Sequence, residues 1–486
     1  MTPKTATPAP AGGRNAQWLL AAFCLALTAL LVLLSEPLSF RDNGDFTRVV
    51  GGMLDFPTNF PPPGSMAWKF RAGGFDPIEH FELAAYVFRV FGTVLAAVGL
   101  PEFNLAVSAV IGKLLVALGL FALADAVARS SGLGRRGHAL VFALLMLVAF
   151  QAHHAGLLKS FYAEYVFFLA LPVLLYGLVR WPSKSAVLFV GAGALGVGLA
   201  KVQYFYVPVL ALAALGLLHG RQGRSLREPV LLVLAAVLLA VQVVCLLPMQ
   251  NNRYQQVNFY HSTYFGSYIP LTDVQRTAIG LTPEQVACIR VDAWGNKAMG
   301  PGGSEPVRVD TPCFGHRGDL RLGDVLRPYL AFPSVAFELA RFALPVHFTV
   351  QYFHVYRDQV FLVPAYGSFG VGEVLVAASR WRDRILSGYL SFVVLGLGCV
   401  LPLVRTRGSR LLGPTMLFLS LFVVSQLAIS LLGEGIRDLS KHLWAAQLAL
   451  DFLVLALLGH AALCLQDRRR TPPVRPLPGP NPASAS

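Results

Sequence analysis

Long apolar stretches recur along this chain of 486 residues, and they limit its fold more than any other feature. Each stretch is about 18 to 24 residues long, so a helix formed from one could cross a hydrocarbon core of ~30 Å. Apolar residues make up 55% of the sequence and charged residues only 14%. The sequence therefore predicts an all-α polytopic membrane protein.

The apolar stretches and their flanks predict about ten transmembrane helices. These are, in chain order, 18–38, 103–127, 138–153, 161–179, 185–201, 203–219, 229–248, 385–404, 411–432 and 443–465. An even number of spans places both termini on the same side, and the connectors on that side carry clusters of Arg and Lys. Because basic connectors stay in the cytoplasm, we expect both termini to be cytoplasmic and the protein to lie in the inner (cytoplasmic) membrane.

The net charge of +14 does not indicate binding to nucleic acid. Its Lys and Arg residues lie in short connectors between apolar runs, and not in a stripe with interleaved aromatic residues. The distribution of the basic residues therefore indicates which connectors face the cytoplasm. The lipid bilayer is the partner that the composition predicts.

Segment 81–99 is less apolar than the predicted spans because Glu82 and Arg89 interrupt it. Its amphipathic pattern predicts an interfacial helix on the outer face.

The predicted organisation is a disordered cytosolic tail (1–17), an N-terminal transmembrane module (18–248) with its first outer loop at 39–102, an extracytoplasmic loop subdomain (249–384), C-terminal transmembrane helices (385–465) and a second disordered cytosolic tail (466–486).

Two of the six cysteines, Cys288 and Cys313, lie in the large extracytoplasmic loop. In an oxidising compartment we expect them to form a disulfide that closes part of this loop. A metal site would need two further ligands. The other cysteines lie inside predicted spans, where Cys usually behaves as a small buried apolar residue.

Asp42 and Asp45 follow the first predicted span in the sequence Arg41-Asp42-Asn43-Gly44-Asp45. Asp-Asn-Gly-Asp is also typical of a turn, and either Asp could cap the next helix. Carboxylates near bilayer depth are costly, however, and usually pair with a cation, bind an ion or transfer protons. We therefore interpret Asp42 and Asp45 as candidate catalytic residues.

Glu164 is a further candidate acid at the beginning of the fourth predicted span. An acid at this position is partly expected, since it stabilises a helix N-terminus. It follows His153, His154 and Lys159, which together form a polar concentration too dense for exposure to lipid. Among the cations and amides near other span ends, Lys201 and His354 are the candidate binding residues, although aromatic belts explain many of their neighbours.

The turn before the last predicted span carries a third polar cluster. It could be only a capped helix start with a surface ion pair. Cations at a helix beginning are disfavoured, so an anionic partner such as a phosphate explains the cluster more simply. The candidate phosphate-binding residues here are Glu434, Arg437, Asp438, Lys441 and His442.

The pattern resembles the bacterial polytopic glycosyltransferases of the C type (GT-C), which use a polyprenyl-phosphate sugar on the outer face of the membrane. Asp42 and Asp45 match the acidic motif after the first span, Glu164 in Phe-Tyr-Ala-Glu matches a second acid, and 81–99 matches the interfacial helix. The Gly-Glu-Gly segment at 433–435 and its continuation also resemble membrane hexosyltransferases of bacterial surface-glycan synthesis. Since Asp-Asn-Gly-Asp is not an adjacent acidic pair, the choice of base stays open.

The resemblance implies inverting transfer of a sugar from a polyprenyl-phosphate donor to a glycan or lipid-linked acceptor. One Asp would take the proton of the acceptor hydroxyl, and the lipid phosphate would leave. Lys201, Lys441 and His442 would stabilise that phosphate. The other Asp and Glu164 would orient the acceptor or hold an optional divalent cation, Mg²⁺ or Mn²⁺.

Two other functions remain open from the sequence. In a transporter or lipid-linked-glycan flippase, the same acids would bind an ion or relay protons. A polysaccharide polymerase or ligase would keep the outer loop and the lipid phosphate, but would depend more on Arg and His than on paired acids. The position of all three acids at the outer ends of spans favours the glycosyltransferase.

Overall fold

The computed structural model is mostly helical. It describes residues 12–35, 46–55, 67–72, 74–76, 78, 82–220, 228–246, 253–291, 297–298, 307–308, 313, 320–347, 371–386, 389–404, 406–436 and 439–470. Asp42, Asp45, His354, Arg437 and Asp438 lie outside these residues.

The first half of the chain forms ten α-helices within the described residues. These are α1 (Gly12–Leu34), α2 (Phe46–Val50), α3 (Leu83–Ala97), α4 (Leu105–Ser131), α5 (Arg135–Ala149), α6 (Ala152–Leu157), α7 (Glu164–Arg180), α8 (Lys184–Ala200), α9 (Val207–Gly220) and α10 (Glu228–Leu246). A 3₁₀ turn, Val202–Tyr204, joins α8 to α9.

The second half adds ten more within the described residues. These are α11 (Arg253–Ser262), α12 (Asp273–Ala278), α13 (Pro283–Ala287), α14 (Leu322–Ala331), α15 (Ser334–His347), α16 (Val371–Leu386), α17 (Tyr389–Val400), α18 (Arg407–Glu434), α19 (Leu439–His442) and α20 (Trp444–Arg470). A π-type turn, Thr263–Ser267, follows α11, and a 3₁₀ turn, Leu401–Leu403, follows α17.

Among the described residues, four helical segments are long and apolar enough to cross a membrane: Gln17–Leu34, Leu105–Ser131, Arg407–Gly433 and Trp444–Arg468. The bent pair Val374–Leu386 and Leu390–Leu403, at 76°, would make a fifth. Each of the ten predicted spans overlaps a helix, so their helical character is confirmed. The chain thus has several helices that could span a membrane, and the count of ten stays a prediction.

The α7–α8 pair is packed closely enough to fix which helix ends meet. A Cβ added to Gly177 of α7 would lie 2.6 Å from the backbone nitrogen of Val190 in α8. Gly193 of α8 similarly meets the backbone of Leu174. Small residues at helix interfaces allow such close approach. These contacts pair the middle of α7 with the middle of α8 in antiparallel order, so α7 begins where α8 ends.

Two short strands connect α3 to the helices around it. Strand β1 (Ala67–Lys69) pairs antiparallel with β2 (Glu102–Asn104), and Trp68 lies opposite Phe103. Both aromatic side chains are buried, and they belong to the same core as α3, α4 and α7. The helix predicted within 81–99 is therefore confirmed as α3, and its predicted position at a membrane surface stays a prediction.

The described part of segment 249–384, the predicted loop subdomain, has an apolar core of its own, which contains Tyr260, Tyr264 and Cys288. The predicted disulfide is confirmed: Cys288 and Cys313 are bonded. A second two-stranded pairing joins β3 (Lys297–Ala298) to β4 (Val307–Arg308) in this loop.

The turn after α18 holds this loop against the helices. The backbone N–H of Ile436 donates to the carbonyl of Phe265 at 2.7 Å, and the Ser262 hydroxyl donates to the carbonyl of Gly433 at 2.6 Å. Gly435 has a φ of +63°, and a Cβ there would clash with the Phe265 carbonyl. Only glycine tolerates both this positive φ and the close approach of the Phe265 carbonyl.

Candidate functional site

A buried ion pair lies where α7 begins and α8 ends. Glu164 is the first residue of α7, and Lys201 directly follows α8. Each charge suits its helix end, because the macrodipole favours an acid at an N-terminus and a cation at a C-terminus. Lys201 Nζ donates to Glu164 Oε1 at 2.7 Å, and the two side chains are 8% and 3% exposed. The structure thus brings together two of the predicted site residues.

Glu82 and Arg48 extend this pair into a larger group, here called the ionic cluster: Arg48, Glu82, Glu164 and Lys201. Arg48 Nη2 lies 3.8 Å from Glu82 Oε1. Burial raises the pKa of the Glu82 carboxyl. The positive charges of Arg48 and Lys201 lower this pKa, and the negative charge of Glu164 raises it further. Glu82 therefore lies in a buried position where Arg48, Glu164 and Lys201 all act on its charge.

An aromatic contact places the start of α2 beside the ionic cluster. The Phe46 ring packs edge-on against Phe161 at 5.3 Å and Tyr162 at 5.0 Å between ring centroids. Phe46 directly follows Asp45 in the chain, and Tyr162 is two residues before Glu164. Phe46, the residue after Asp45, therefore lies close to the Phe-Tyr-Ala-Glu sequence.

Ser35, the last described residue before Asp42, is held by a lysine inside α4. Lys113 is almost completely buried, and its Nζ donates to the carbonyl oxygen of Ser35 at 3.0 Å. A buried cation within an apolar helix is costly, so such residues are usually functional or paired. The residues that flank Asp42 and Asp45 are thus fixed on both sides.

His442 is joined to the same region through Gln203, which lies two residues after Lys201. His442 Nδ1 lies 2.9 Å from Gln203 Oε1, and the Gln203 amide donates to the His442 carbonyl at 3.2 Å. Gln426 also donates to that carbonyl, at 3.1 Å, and accepts from the Tyr206 hydroxyl at 2.9 Å. This network joins His442 to the segment that directly follows Lys201.

The sequence predicted that Lys441 and His442 lie at the beginning of the last span, where a helix N-terminus would attract an anion. The structure places both in α19, a helix of four residues that ends at His442, and α20 begins two residues later at Trp444. Their position directly before the last long helix agrees with the prediction, and the bound anion stays a prediction. The structure describes only the backbone of Glu434 and Lys441.

A second buried network, which the sequence prediction missed, joins α6, α16 and α20. Arg382 Nε donates to Asp451 Oδ1 at 2.8 Å, and His154 Nε2 lies 3.1 Å from the other oxygen, Asp451 Oδ2. Arg382 also contacts Asp383 at 3.1 Å. An acid within the apolar sequence of the last span was the available signal for this network.

His153, His154 and Asp451 are the described group whose donor atoms are close enough for a metal, all within 4.8 Å of one another. Imidazole and carboxylate would suit a transition metal. The guanidinium of Arg382, however, already binds the same carboxylate and would repel a cation. The geometry therefore fits an ion-pair network that joins three helices better than it fits a metal centre.

The sequence prediction also missed Glu82 and Arg48 as members of the site. It treated Glu82 only as an interruption of an apolar run. Neither residue lies at the end of a predicted span, so only the tertiary packing of α2 against α3, and of α3 against α7, brings them to the site. The signal in the sequence was an acid directly before an amphipathic helix.

Comparison with known proteins gives one informative match. The chain is 24% identical over 433 residues to the uncharacterized protein YfdI of Escherichia coli (strain K12), a match that covers 88% of this chain and 92% of that protein. No family model matches the chain, and no solved structure matches it. The similarity to YfdI extends over nearly the whole length of both proteins.

Proposed function

We propose that the protein is an inverting glycosyltransferase that moves a sugar from a polyprenyl-phosphate donor to a glycan or lipid-linked acceptor. The observation that carries the proposal is the buried Glu164–Lys201 pair, with His442 linked to it through Gln203. These residues come from distant parts of the chain and combine an acid with cations. Such a combination suits proton removal from a hydroxyl and stabilisation of a leaving phosphate.

In this proposal Lys201 binds the donor phosphate. An ammonium group has three N–H donors, and Glu164 accepts from one of them. The others would be directed at phosphate oxygens, while the ion pair with Glu164 orients the lysine side chain. A protonated His442 would add positive charge near the phosphate, with its Nδ1–H donating to Gln203 Oε1.

The catalytic base in this proposal is Asp42 or Asp45. Support comes from their flanking residues, because Phe46 packs beside the start of α7 and Ser35 is held by Lys113. Glu164 is a poorer base, since its carboxylate already accepts a hydrogen bond from the Lys201 ammonium.

A divalent cation fits Glu164 poorly for the same reason. The Lys201 ammonium lies 2.7 Å from Glu164 Oε1 and would repel Mg²⁺ or Mn²⁺ at that carboxylate. We therefore propose that Glu164 acts through Lys201 and not as a metal ligand. If a metal takes part, Asp42 and Asp45 would hold it.

The proposed setting is the cytoplasmic membrane, with about ten spans, a GT-C-like arrangement, both termini in the cytoplasm and the ionic cluster on the outer face. This topology is supported by the basic connectors of the sequence. It is also consistent with the outer-loop disulfide between Cys288 and Cys313, a bond typical of oxidising compartments.

A transporter or flippase is the second candidate, and one observation favours it. Asp451 lies seven residues into α20, where it contacts Arg382 and His154 with almost no solvent exposure. Buried ionisable residues inside apolar helices often mark proton or ion pathways. In that case the network around Asp451, and not the ionic cluster, would be the functional centre.

The test is transfer of a labelled sugar from polyprenyl-phosphate donors in membranes that contain wild-type protein, Asp42→Asn, Asp45→Asn or Glu164→Gln at matched abundance. The exposed Asp273→Asn is the control. Loss of transfer in one Asp variant alone, with the control unchanged, would identify the base and support the proposal. No transfer by wild type across a donor panel, or full activity in all variants, would contradict it.

A further inference from the structure

Glu82 is a buried acid at the beginning of α3. It is the residue before α3, a position where acids often cap the helix, yet its side chain makes no capping hydrogen bond. Only 6% of the residue is exposed. Burial without a capping bond means that helix formation does not explain why an acid occupies this position.

The two oxygens of Glu82 are incompletely satisfied. Oε1 is 3.8 Å from Arg48, which is longer than a hydrogen bond, and Oε2 has no partner within the described part of the chain although it is buried. A buried polar atom without a partner carries a large desolvation penalty. Such an atom in a site of charged groups is an acceptor ready for a ligand donor.

The neighbours of Glu82 decide which ligand group fits. Arg48, Glu164 and Lys201 are the charged groups that influence it. A phosphate next to Glu82 would be repelled, since both are anionic, whereas a hydroxyl can donate to the free oxygen. The carboxyl also retains an acceptor oxygen when it is protonated, which burial favours because it raises the pKa of Glu82.

We propose that Glu82 forms a carbohydrate subsite, in which Oε2 accepts a hydrogen bond from a hydroxyl of the transferred sugar. This inference rests on the proposed function and divides the ionic cluster into two parts. Lys201 binds the phosphate of the donor, and Glu82 recognises the sugar attached to it. Sites that pair a buried polar group with a substrate hydroxyl discriminate strongly against analogues that lack it. Glu82 is thus a specificity-determining residue.

The experiment measures equilibrium binding to purified full-length protein in lipid nanodiscs. The ligands are a polyprenyl-phosphate hexose that wild type binds, its single-deoxy analogues and polyprenyl phosphate without a sugar. The variants are Glu82→Gln, which keeps the shape of the side chain, Glu82→Ala, and the partly exposed control Glu102→Gln. Binding of polyprenyl phosphate also shows that each variant is folded.

We expect Glu82→Ala to weaken hexose-donor binding by about 10- to 100-fold, the effect of losing a hydrogen bond to a charged group. Polyprenyl phosphate should bind all variants equally. One of the deoxy donors should bind wild type as weakly as the complete donor binds Glu82→Ala. Glu82→Ala should bind this deoxy donor and the complete donor equally well.

Equal weakening of both ligand types, or unchanged hexose binding in both Glu82 variants, would overturn the subsite. The subsite would also be overturned if Glu82→Ala still bound the complete donor more tightly than that deoxy donor. The absence of any hexose-donor binding to wild type would overturn it as well. If wild type binds hexose donors through Glu82 but transfers nothing, the subsite stands and the proposed transferase reaction fails.

Discussion

Lys201→Met should destabilise the protein more than Glu164→Gln, although these two residues form one ion pair. Their side chains are 8% and 3% exposed, and removing one partner of a buried pair costs about 3–5 kcal/mol. Without Lys201, the acids Glu164 and Glu82 remain buried together and repel each other. Without Glu164, Lys201 still attracts Glu82. We therefore expect about 4–5 kcal/mol for Lys201→Met and about 3 kcal/mol for Glu164→Gln.

The double variant measures how strongly the two charges are coupled. Removing both leaves no stranded partner, so its cost should be smaller than the sum of the single costs by about 2–3 kcal/mol. The assay is equilibrium unfolding of purified full-length protein in mixed micelles with SDS, followed by helical circular dichroism.

An exposed ion pair provides the control. Arg276 Nη1 lies 2.9 Å from Asp273 Oδ1, but Asp273 is 93% exposed. Asp273→Asn should therefore cost at most about 1 kcal/mol. Equal costs for Lys201→Met and Glu164→Gln, or costs that simply add in the double variant, would refute the reasoning, because Glu82 would then have no part in the cluster.

Three further predictions concern the parts that surround the site. Gly435→Ala should lower the free energy of unfolding by about 1–3 kcal/mol, since its φ is +63° and an added Cβ would clash. Gly433→Ala should be nearly neutral because an added Cβ there meets open space, so equal melting temperatures of the two variants would contradict the prediction. Cys288→Ser should cost about 3–4 kcal/mol by opening a disulfide loop of 25 positions, and limited proteolysis should then cut that loop faster than in wild type. Arg382→Met should cost about 3–5 kcal/mol by stranding buried Asp451, and a melting temperature equal to that of wild type would show that the network contributes nothing.

The helices could be predicted from the sequence because apolar runs of helical length dominate it. Their breaks could not be predicted equally well. The span predicted at 138–153 is divided between α5, which ends at Ala149, and α6, which begins at Ala152. The span predicted at 385–404 begins at a bend of 76° after α16. Both breaks lie within or beside apolar sequence, where hydropathy alone gives no signal for a change of direction.

The site was predictable only where charge stands out against apolar surroundings. Glu164 and Lys201 were identified separately because each lies at the end of an apolar run. Their pairing across 37 positions depends on the antiparallel packing of α7 and α8, which the sequence pattern does not specify. Glu82 and Arg48 join only through tertiary packing. Asp451, by contrast, could have been identified as an acid inside an apolar helix.

The most direct test of the account is an experimental structure of the full-length protein in nanodiscs with a bound polyprenyl-phosphate sugar. The account predicts that the phosphate lies within hydrogen-bonding distance of Lys201 Nζ and that a sugar hydroxyl lies beside Glu82. A donor bound elsewhere, or a ligand or ion held by His154 and Asp451 with the ionic cluster unchanged, would contradict it and favour the transporter.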